Sequence, residues 1–238
     1  GQVNTNSTLG SSNFDGNLQS VTKVNATSGF SIVKWTSGAN AYKTVGHGLG
    51  VKPQVVIIKR RDATGNWFVF YDVVDGTNDY LQLNSTTTAL NAESYSIVPP
   101  TSTVFGTDGA FVGGNTNASM IAYVFSSVTG YSKIGSYKAN GNSDGTFVFT
   151  GFRPALIIFK NSTSTEAWSM FDNKRDPFNP VEKFLRPSGS NADTSGSNDI
   201  DFLSNGFKAR TSNNPNSSGA TYIYLAFAEA PFRNARAR

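Results

Sequence analysis

The chain has 238 residues, a net charge of +4 and no cysteine, which excludes a disulfide framework, thiolate catalysis and zinc–thiolate sites. Hydrophobic residues make up 38% and charged residues only 15%, so the sequence can form a core beneath a weakly charged surface. Arg233, Arg236 and Arg238 lie at the very C-terminus, and the rest of the chain is nearly neutral. We therefore expect no nucleic-acid partner.

No segment reaches the apolar length of a membrane span, and the N-terminal sequence has neither the basic nor the apolar region of a signal peptide. We therefore expect no membrane insertion. Because the chain does not begin with methionine, we expect a fragment or a processed protein.

In chain order, short runs rich in Val, Ile, Phe, Tyr and Thr alternate with clusters of Gly, Asn, Ser and Asp, as in β-strands joined by turns. No segment has the periodicity of a long amphipathic helix. The predicted strands are Phe30–Trp35, Gln54–Lys59, Trp67–Tyr71, Tyr80–Leu83, Met120–Phe125, Tyr131–Tyr137, Phe147–Phe149, Ala155–Lys160, Trp168–Phe171 and Thr221–Phe227.

The sequence contains an internal repeat with an offset of 101 positions. The segment Thr44–Lys59, "TVGHGLGVKPQVVIIK", returns as Thr146–Lys160, "TFVFTGFRPALIIFK". We therefore predict an all-β fold of two tandem, related, β-sandwich-like repeats of about 100 residues that pack intimately. The predicted boundaries are an N-terminal arm at 1–28, repeats at 29–130 and 131–232, and a basic C-terminal tail at 233–238.

The most apolar strand of each repeat, "VVII" or "LIIF", does not alternate with polar residues. We expect both of its faces to be covered, by the other repeat or by a neighbouring subunit. The turn before this strand has three glycines around His47 in the first copy, but Phe149 and Phe152 around Gly151 in the second. We expect these two rings to fill space that the first copy leaves open to another backbone or a ligand.

Three residues are candidates for binding: Trp35, His47 and Tyr80. His47 is the only histidine, so it lacks partners for a metal site and we expect a satisfied imidazole in a turn or an interface. Trp35 aligns with Ser136 and is not repeated, which favours an exposed or interface role. Trp67 and Trp168 do repeat, which favours a place in the core.

Two groups of oxygen-bearing side chains are alternative sites. The loop Asn140–Gly145, "NGNSDG", resembles the start of a calcium loop but lacks the glutamate that completes one, and a hairpin turn is the simpler interpretation. Catalytic carboxylate pairs for glycoside hydrolysis could come from two clusters that otherwise indicate solvated loops. These clusters are Asp72, Asp75 and Asp79, and Asp193, Asp199 and Asp201.

The segments "FSIVKW", "GHGLGVKP", "DFLSNGFKAR" and "TYIYLAFAEAPF", together with the repeated phrase, carry a resemblance to a known family. Over roughly residues 29–232 the chain resembles an uncharacterised C-terminal β-module of marine phage structural proteins, similar to tail-fibre modules with a His-Gly-Leu-Gly turn followed by a proline. The resemblance implies a non-enzymatic, often oligomeric virion part that sometimes binds a host, and it supplies no catalytic residues and no cofactor.

We therefore expect a phage virion structural protein, most simply a tail-fibre or tail-tip component that contributes to host-surface attachment. Its expected partners are further copies of itself, other virion proteins and a host-surface glycan or protein. One alternative is a capsid decoration, head-fibre or assembly protein without a receptor role. A second is a polysaccharide-binding or depolymerising module.

Overall fold

The structure, a computed structural model, describes residues 10–38, 42–112, 117–193, 195–196 and 199–230. In these ranges the regular structure is β, apart from two short 3-10 turns at Ala26–Ser28 and Glu93–Tyr95. The all-β prediction is therefore confirmed. The predicted basic tail at 233–238 lies outside the described residues.

The chain divides into two compact units. The first is built from residues up to Gln82 and from Leu90–Ser126, and the second from Leu83–Ala89 and residues from Ser127 onward. The strands of the first unit are β1 Ser11–Asn13, β2 Ser20–Asn25, β3 Phe30–Thr36, β4 Tyr42–Gly46, β5 Val55–Arg60, β6 Trp67–Tyr71, β7 Asp79–Gln82, β8 Leu90–Asn91, β9 Val104–Asp108 and β10 Ser119–Phe125. The strands of the second unit are β11 Ser132–Lys138, β12 Phe147–Phe149, β13 Pro154–Asn161, β14 Ser169–Asp172, β15 Phe184–Leu185, β16 Ile200–Leu203, β17 Gly206–Ala209 and β18 Thr221–Ala228.

The first unit consists of an eight-stranded sheet and a two-stranded sheet. The large sheet has the order β1-β2-β3-β10-β5-β6-β7-β8, and β4 pairs with β9 in the small one. Its core combines residues of the large sheet, such as Val33 and Ile58, with Val45 and Phe105 of the small sheet. Alternate residues of each strand therefore point into one apolar layer, as in a sandwich.

The second unit consists of a five-stranded sheet in the order β11-β18-β13-β14-β15 and a three-stranded sheet in the order β12-β17-β16. Its core combines Phe159 and Tyr224 of the larger sheet with Val148 and Phe207 of the smaller one. The strand order β11-β18-β13-β14 corresponds to β3-β10-β5-β6 in the first unit. The residues that lie directly opposite one another across these four strands form rows, and each row of the first unit has a counterpart in the second. The row Val33–Ala122–Ile58–Phe68 corresponds to Gly135–Tyr224–Phe159–Ser169.

Each predicted strand overlaps an observed one, with differences of one or two residues at most ends. The N-terminal segment behaves differently from the predicted arm. It supplies β1 and β2, and β2 pairs with β3 from Ser20 opposite Trp35 to Asn25 opposite Phe30. Its polar composition, "SVTKVN", hides this role because the strand lies near the end of the sheet, where few apolar residues are needed.

The strand β5 is buried on its core face but only partly covered on the other, where Ile57 and Lys59 are half-buried. Val55, on one face, and Val56 and Ile58, on the other, are each at most 2% exposed. In β13 the burial alternates, because Ile157 and Phe159 are fully buried while Leu156 and Ile158 are half-buried.

Candidate interaction surfaces

The Trp35 side chain is in the core of the first unit, so its predicted exposure is wrong. It is 5% exposed and packs edge-to-face on Phe105, with 5.5 Å between the ring centroids. The reason is strand alternation: Trp35 lies two residues after Val33 on β3, on the face that points into the core. By strand register its counterpart is the core residue Tyr137, not Ser136 as the sequence alignment indicated. Its Nε1 is buried without a hydrogen-bond partner.

The imidazole of His47 is fully buried and both of its nitrogens are engaged. The backbone N–H of Leu49 donates to Nδ1 at 3.2 Å, so the proton resides on Nε2, which donates to the Thr101 carbonyl oxygen at 3.3 Å. Burial lowers the pKa of His47, with a partly opposing effect of the Thr101 hydrogen bond and of Asp15. His47 therefore holds the turn together as a buried, neutral side chain.

Tyr80 belongs to an aromatic cluster rather than to a binding surface. It is 6% exposed, and the Phe111 ring lies edge-on at 4.8 Å. The rings of Phe68, Phe70 and Tyr95 surround it at about 6 Å. Burial, followed by the Tyr95 hydroxyl, raises the pKa of Tyr80. All three binding candidates chosen from the sequence are thus buried in the first unit.

The loop Asn140–Gly145 uses its oxygens internally. Asn140 Oδ1 accepts hydrogen bonds from Asn142 N at 3.0 Å and from Asn216 Nδ2 at 2.7 Å. The Asp144 carboxylate pairs with Lys208 Nζ at 2.6 Å and lies 3.5 Å from Arg210 Nη1. These contacts stabilise a turn. Within the described ranges, no group of three His, Cys, Asp or Glu side chains is arranged to hold a metal ion.

The first carboxylate cluster is divided among different partners. Asp72 pairs with Lys52, and Asp75 Oδ1 accepts from Thr77 N at 3.0 Å and from Thr77 Oγ1 at 2.6 Å. The remaining member, Asp79, is half-buried on β7. Burial, then the charges of Asp75 and Glu93, raise the pKa of Asp79 to about 6.

The second cluster is held largely by arginines. Asp201 Oδ2 accepts from Arg210 Nε at 2.8 Å, and Asp193 lies 3.7 Å from Arg175 Nη1. Asp199 is the exception, because its Oδ1 is buried without a partner and burial raises its pKa.

The N-terminal segment covers the outer edge of β4 in the first unit. Asn17 N and Leu18 N donate to the Thr44 carbonyl oxygen at 2.9 and 3.1 Å. Ser20 Oγ donates to the Gly46 carbonyl oxygen at 2.9 Å. A Cβ at Gly46 would overlap the Asn13 carboxamide. Gly46 therefore makes room for a segment of the same chain, which explains why a glycine stands at this position of the first copy.

The turns of the two units match closely in structure. His47 N donates to the Thr103 carbonyl oxygen at 3.1 Å, and Thr150 N donates to the Asn205 carbonyl oxygen at 3.0 Å. The next residue is a left-handed glycine in both units, Gly48 with φ of 73° and Gly151 with φ of 85°. The equivalent residues that follow, Leu49 and Phe152, are both in the core.

This correspondence places Phe147 and Phe149 where the first unit has Thr44 and Gly46. Phe152 fills space in the core as expected, but Phe149 does not, because it is 63% exposed. Phe147 is 44% exposed. Both rings lie on β12, an edge strand of its sheet.

The backbone N–H and C=O groups of Phe147 and Phe149 also point away from β17, the neighbouring strand. Thr146 O accepts from Ala209 N, and Thr150 N donates to Asn205 O, so residues on either side face β17. Hydrogen-bonding direction alternates along an antiparallel strand, which directs Phe147 and Phe149 away from β17. No strand of the described residues pairs with this edge of β12, so it is open to a further strand.

A second surface lies on the first unit and was missed from the sequence. Lys34 and Lys59 lie on the same face of the large sheet as the aromatic pair Trp67 and Tyr123, the face that points away from its core. Arg61, which follows β5, lines a groove together with Lys34. Lys59 and Trp67 recur as Lys160 and Trp168 in the sequence, and this repetition could have pointed to these residues. Only the strand register, however, shows that Lys59 lies directly opposite Trp67.

Comparison with known proteins places the chain in a family without assigning a role. In the ranges that the structure describes, no helix is long and apolar enough to cross a membrane. No curated protein and no solved structure matches the chain. A family described as a domain of unknown function (DUF7483) matches residues 4–231, and the chain therefore belongs to this family.

Proposed function

We propose that this chain is a structural module of a phage virion, as a tail-fibre or tail-tip component, that assembles with further copies of itself and contributes to host-surface attachment. The virion setting rests on the resemblance of the repeated turn and strand to phage β-modules. The assembly role rests on one observation, the open edge of β12 with Phe147 and Phe149.

The comparison of equivalent edges supports self-assembly. In the first unit the outward carbonyl oxygens of Thr44 and Gly46, and the N–H of Thr44, bond to the chain's own N-terminal segment. In the second unit no described strand pairs with the equivalent edge at Phe147 and Phe149, whose large apolar side chains are exposed. A free strand edge beside exposed aromatic rings is a surface that a protein normally protects unless another strand joins it. Pairing of two such edges from two copies would cover the rings and complete the backbone hydrogen bonds.

The test is the mass of the purified chain in solution, measured by light scattering coupled to size exclusion. We expect a discrete oligomer, and we expect the double variant Phe147→Thr, Phe149→Ser to shift it toward the monomer. The matched control is Phe14→Ser, Phe178→Ser, which removes two phenylalanines that are 53% and 79% exposed and lie outside strands. A wild-type monomer at micromolar concentration, or equal dissociation by both double variants, would contradict the assembly role.

A host-attachment role predicts binding to host cells, whereas a capsid decoration protein would bind capsids and ignore cells. Purified chain labelled with a fluorophore can be incubated with the host and with empty capsids in parallel. Retention on cells supports attachment, and retention on capsids alone overturns it.

A further inference from the structure

The outer face of the first unit's large sheet carries a row of cations beside aromatic rings. Lys34 on β3 lies opposite Ile121 on β10, which lies opposite Lys59 on β5, which lies opposite Trp67 on β6. The ring of Tyr123 stacks on Trp67, with centroids 6.2 Å apart and planes inclined by 20°. Because directly paired residues share a face, these side chains form one continuous surface.

The positive charges of this row are not neutralised internally. Lys34 and Arg61 are exposed and Lys59 is half-buried. Among the described residues, no carboxylate lies within ion-pair distance of these three side chains. Asp62, next to Arg61, pairs with Arg60 Nε at 2.7 Å and accepts from Ser119 N at 2.9 Å.

An open groove of about 530 Å³ adjoins the row. Lys34 and Arg61 line it together with Gln19, Thr36 and Ser119, which carry amide and hydroxyl groups. The lining thus combines cations with neutral groups that donate and accept hydrogen bonds. Such a mixture matches a ligand that carries both anionic groups and hydroxyls.

In the second unit the corresponding row of side chains is largely buried. The equivalent residues are Ser136, Ile223, Lys160 and Trp168. Lys160 is fully buried, and its Nζ donates to the carbonyl oxygens of Asn161 at 2.5 Å and Ser164 at 3.2 Å. Trp168 is 1% exposed. The second unit therefore satisfies its lysine with backbone oxygens, whereas the first leaves the ammonium group of Lys59 open to an external oxygen ligand.

We propose that this row and groove bind an acidic polysaccharide chain, an inference that rests on the proposed attachment function and names its ligand class. The spacing of the charges favours a glycan over a nucleic acid. Lys34 and Lys59 are two strand spacings apart, about 10 Å, which is close to the length of one disaccharide. A nucleic acid carries a phosphate at every nucleotide and needs a denser array of cations. In the bound state carboxylates pair with the lysines, sugar hydroxyls bond to Thr36 and Ser119, and a sugar ring packs on the exposed part of the Trp67–Tyr123 pair.

The test is calorimetric titration of the full chain with a hyaluronan octasaccharide, which carries one carboxylate per disaccharide. We expect binding that weakens as salt is added. Lys34→Ser, which copies Ser136 of the second unit, and Lys59→Met should each lower the affinity by about fivefold, as for one partly exposed charge pair. Lys183→Ser removes an exposed lysine outside the row and should leave the affinity unchanged.

The inference would be overturned by no binding of the octasaccharide, by equal loss of affinity in Lys183→Ser, or by equally tight binding of a single-stranded oligothymidylate. A neutral dextran octasaccharide should not bind, and its equal binding would overturn the role of charge. The solution mass of each variant is measured in parallel. Failure of glycan binding with an intact oligomer contradicts this ligand and leaves the assembly role standing, whereas a monomer that still binds glycan contradicts only the assembly role.

Discussion

Gly135 lies directly opposite Tyr224 in the large sheet of the second unit, and a Cβ at position 135 would come within 3.0 Å of the Tyr224 hydroxyl oxygen. The equivalent pair of the first unit is Val33 opposite Ala122. Each pair has one larger and one smaller member, but their places are exchanged. The two units therefore fill corresponding positions of their cores with the larger and the smaller side chain exchanged between strands.

A double-mutant cycle tests this compensation. Gly135→Val should destabilise the second unit by about 1–3 kcal/mol through overpacking, and Tyr224→Ala by about 3–5 kcal/mol through a cavity. The double variant recreates the Val33–Ala122 pair, so its loss should be smaller than the two single losses together. Urea unfolding monitored by fluorescence measures all four proteins. Strict additivity would show that the two positions do not share space.

Gly46 and Phe149 occupy equivalent positions but should respond differently to alanine. Gly46→Ala places a methyl group on the buried Asn13 side chain, and we expect a loss of about 1–3 kcal/mol. Phe149→Ala removes a largely exposed ring and should change stability by less than about 0.5 kcal/mol. Urea unfolding gives both values. Amide exchange of residues 11–25 should accelerate in Gly46→Ala alone, and unchanged exchange there would argue against a segment that packs on the glycine.

The raised pKa of Asp79 makes stability depend on pH. Its pKa is about 6 in the folded protein against 3.8 as the ordinary value, so the folded state binds the proton more tightly than the unfolded state. Stability is therefore lost as the pH rises from about 4 through 6. We expect Asp79→Asn to be more stable than wild type by about 1 kcal/mol at pH 8, after allowance for solvent screening. The gain should vanish below pH 4 in thermal or urea unfolding, and a gain that does not vary with pH would exclude Asp79 as the cause.

Lys160 gives the opposite pH dependence. Burial lowers its pKa from 10.5 to about 8, partly offset by Glu166, so the folded state binds this proton more weakly than the unfolded state. The penalty is complete below pH 8 and disappears as the pH rises through 8 to 10.5. Urea unfolding gives the stability of Lys160→Met relative to wild type at each pH. This relative stability should be about 2 kcal/mol greater at pH 7 than at pH 10.5. In the variant the carbonyl oxygens of Asn161 and Ser164 lose the lysine as a hydrogen-bond donor. This cost is the same at both pH values, so the comparison between them removes it. A pH-independent difference would show that Lys160 is uncharged or accessible to water.

The strands were predictable because the chain marks them with β-branched and aromatic runs between turn residues. Trp67–Tyr71 and Phe147–Phe149 were predicted with the observed bounds. The strand β2 was missed because it lies near the sheet edge and is mostly polar. Its recruitment depends on the glycine at position 46 and on hydrogen bonds to β4, which no local pattern in the N-terminal segment reveals.

The surfaces were harder to predict than the strands. Residue type favoured Trp35 and His47, but strand alternation and a turn bury both. The open edge of β12 and the row from Lys34 to Trp67 depend on which strands are neighbours, and this information comes from pairing between distant segments. Repetition of Lys59 and Trp67 as Lys160 and Trp168 was visible in the sequence. It did not show that Lys59 is half-buried whereas Lys160 is fully buried.

The central claim is that the β12 edge pairs with another copy of the chain, and amide hydrogen exchange measures this pairing directly. Exchange at Phe147 and Phe149 is followed by NMR at low and high protein concentration. Thr44 is the internal control, because its N–H already donates to Asn17 Oδ1 at 3.2 Å. We predict that Phe147 and Phe149 become protected as the concentration rises while Thr44 does not change. Rapid exchange at Phe147 and Phe149 at every concentration would contradict the claim.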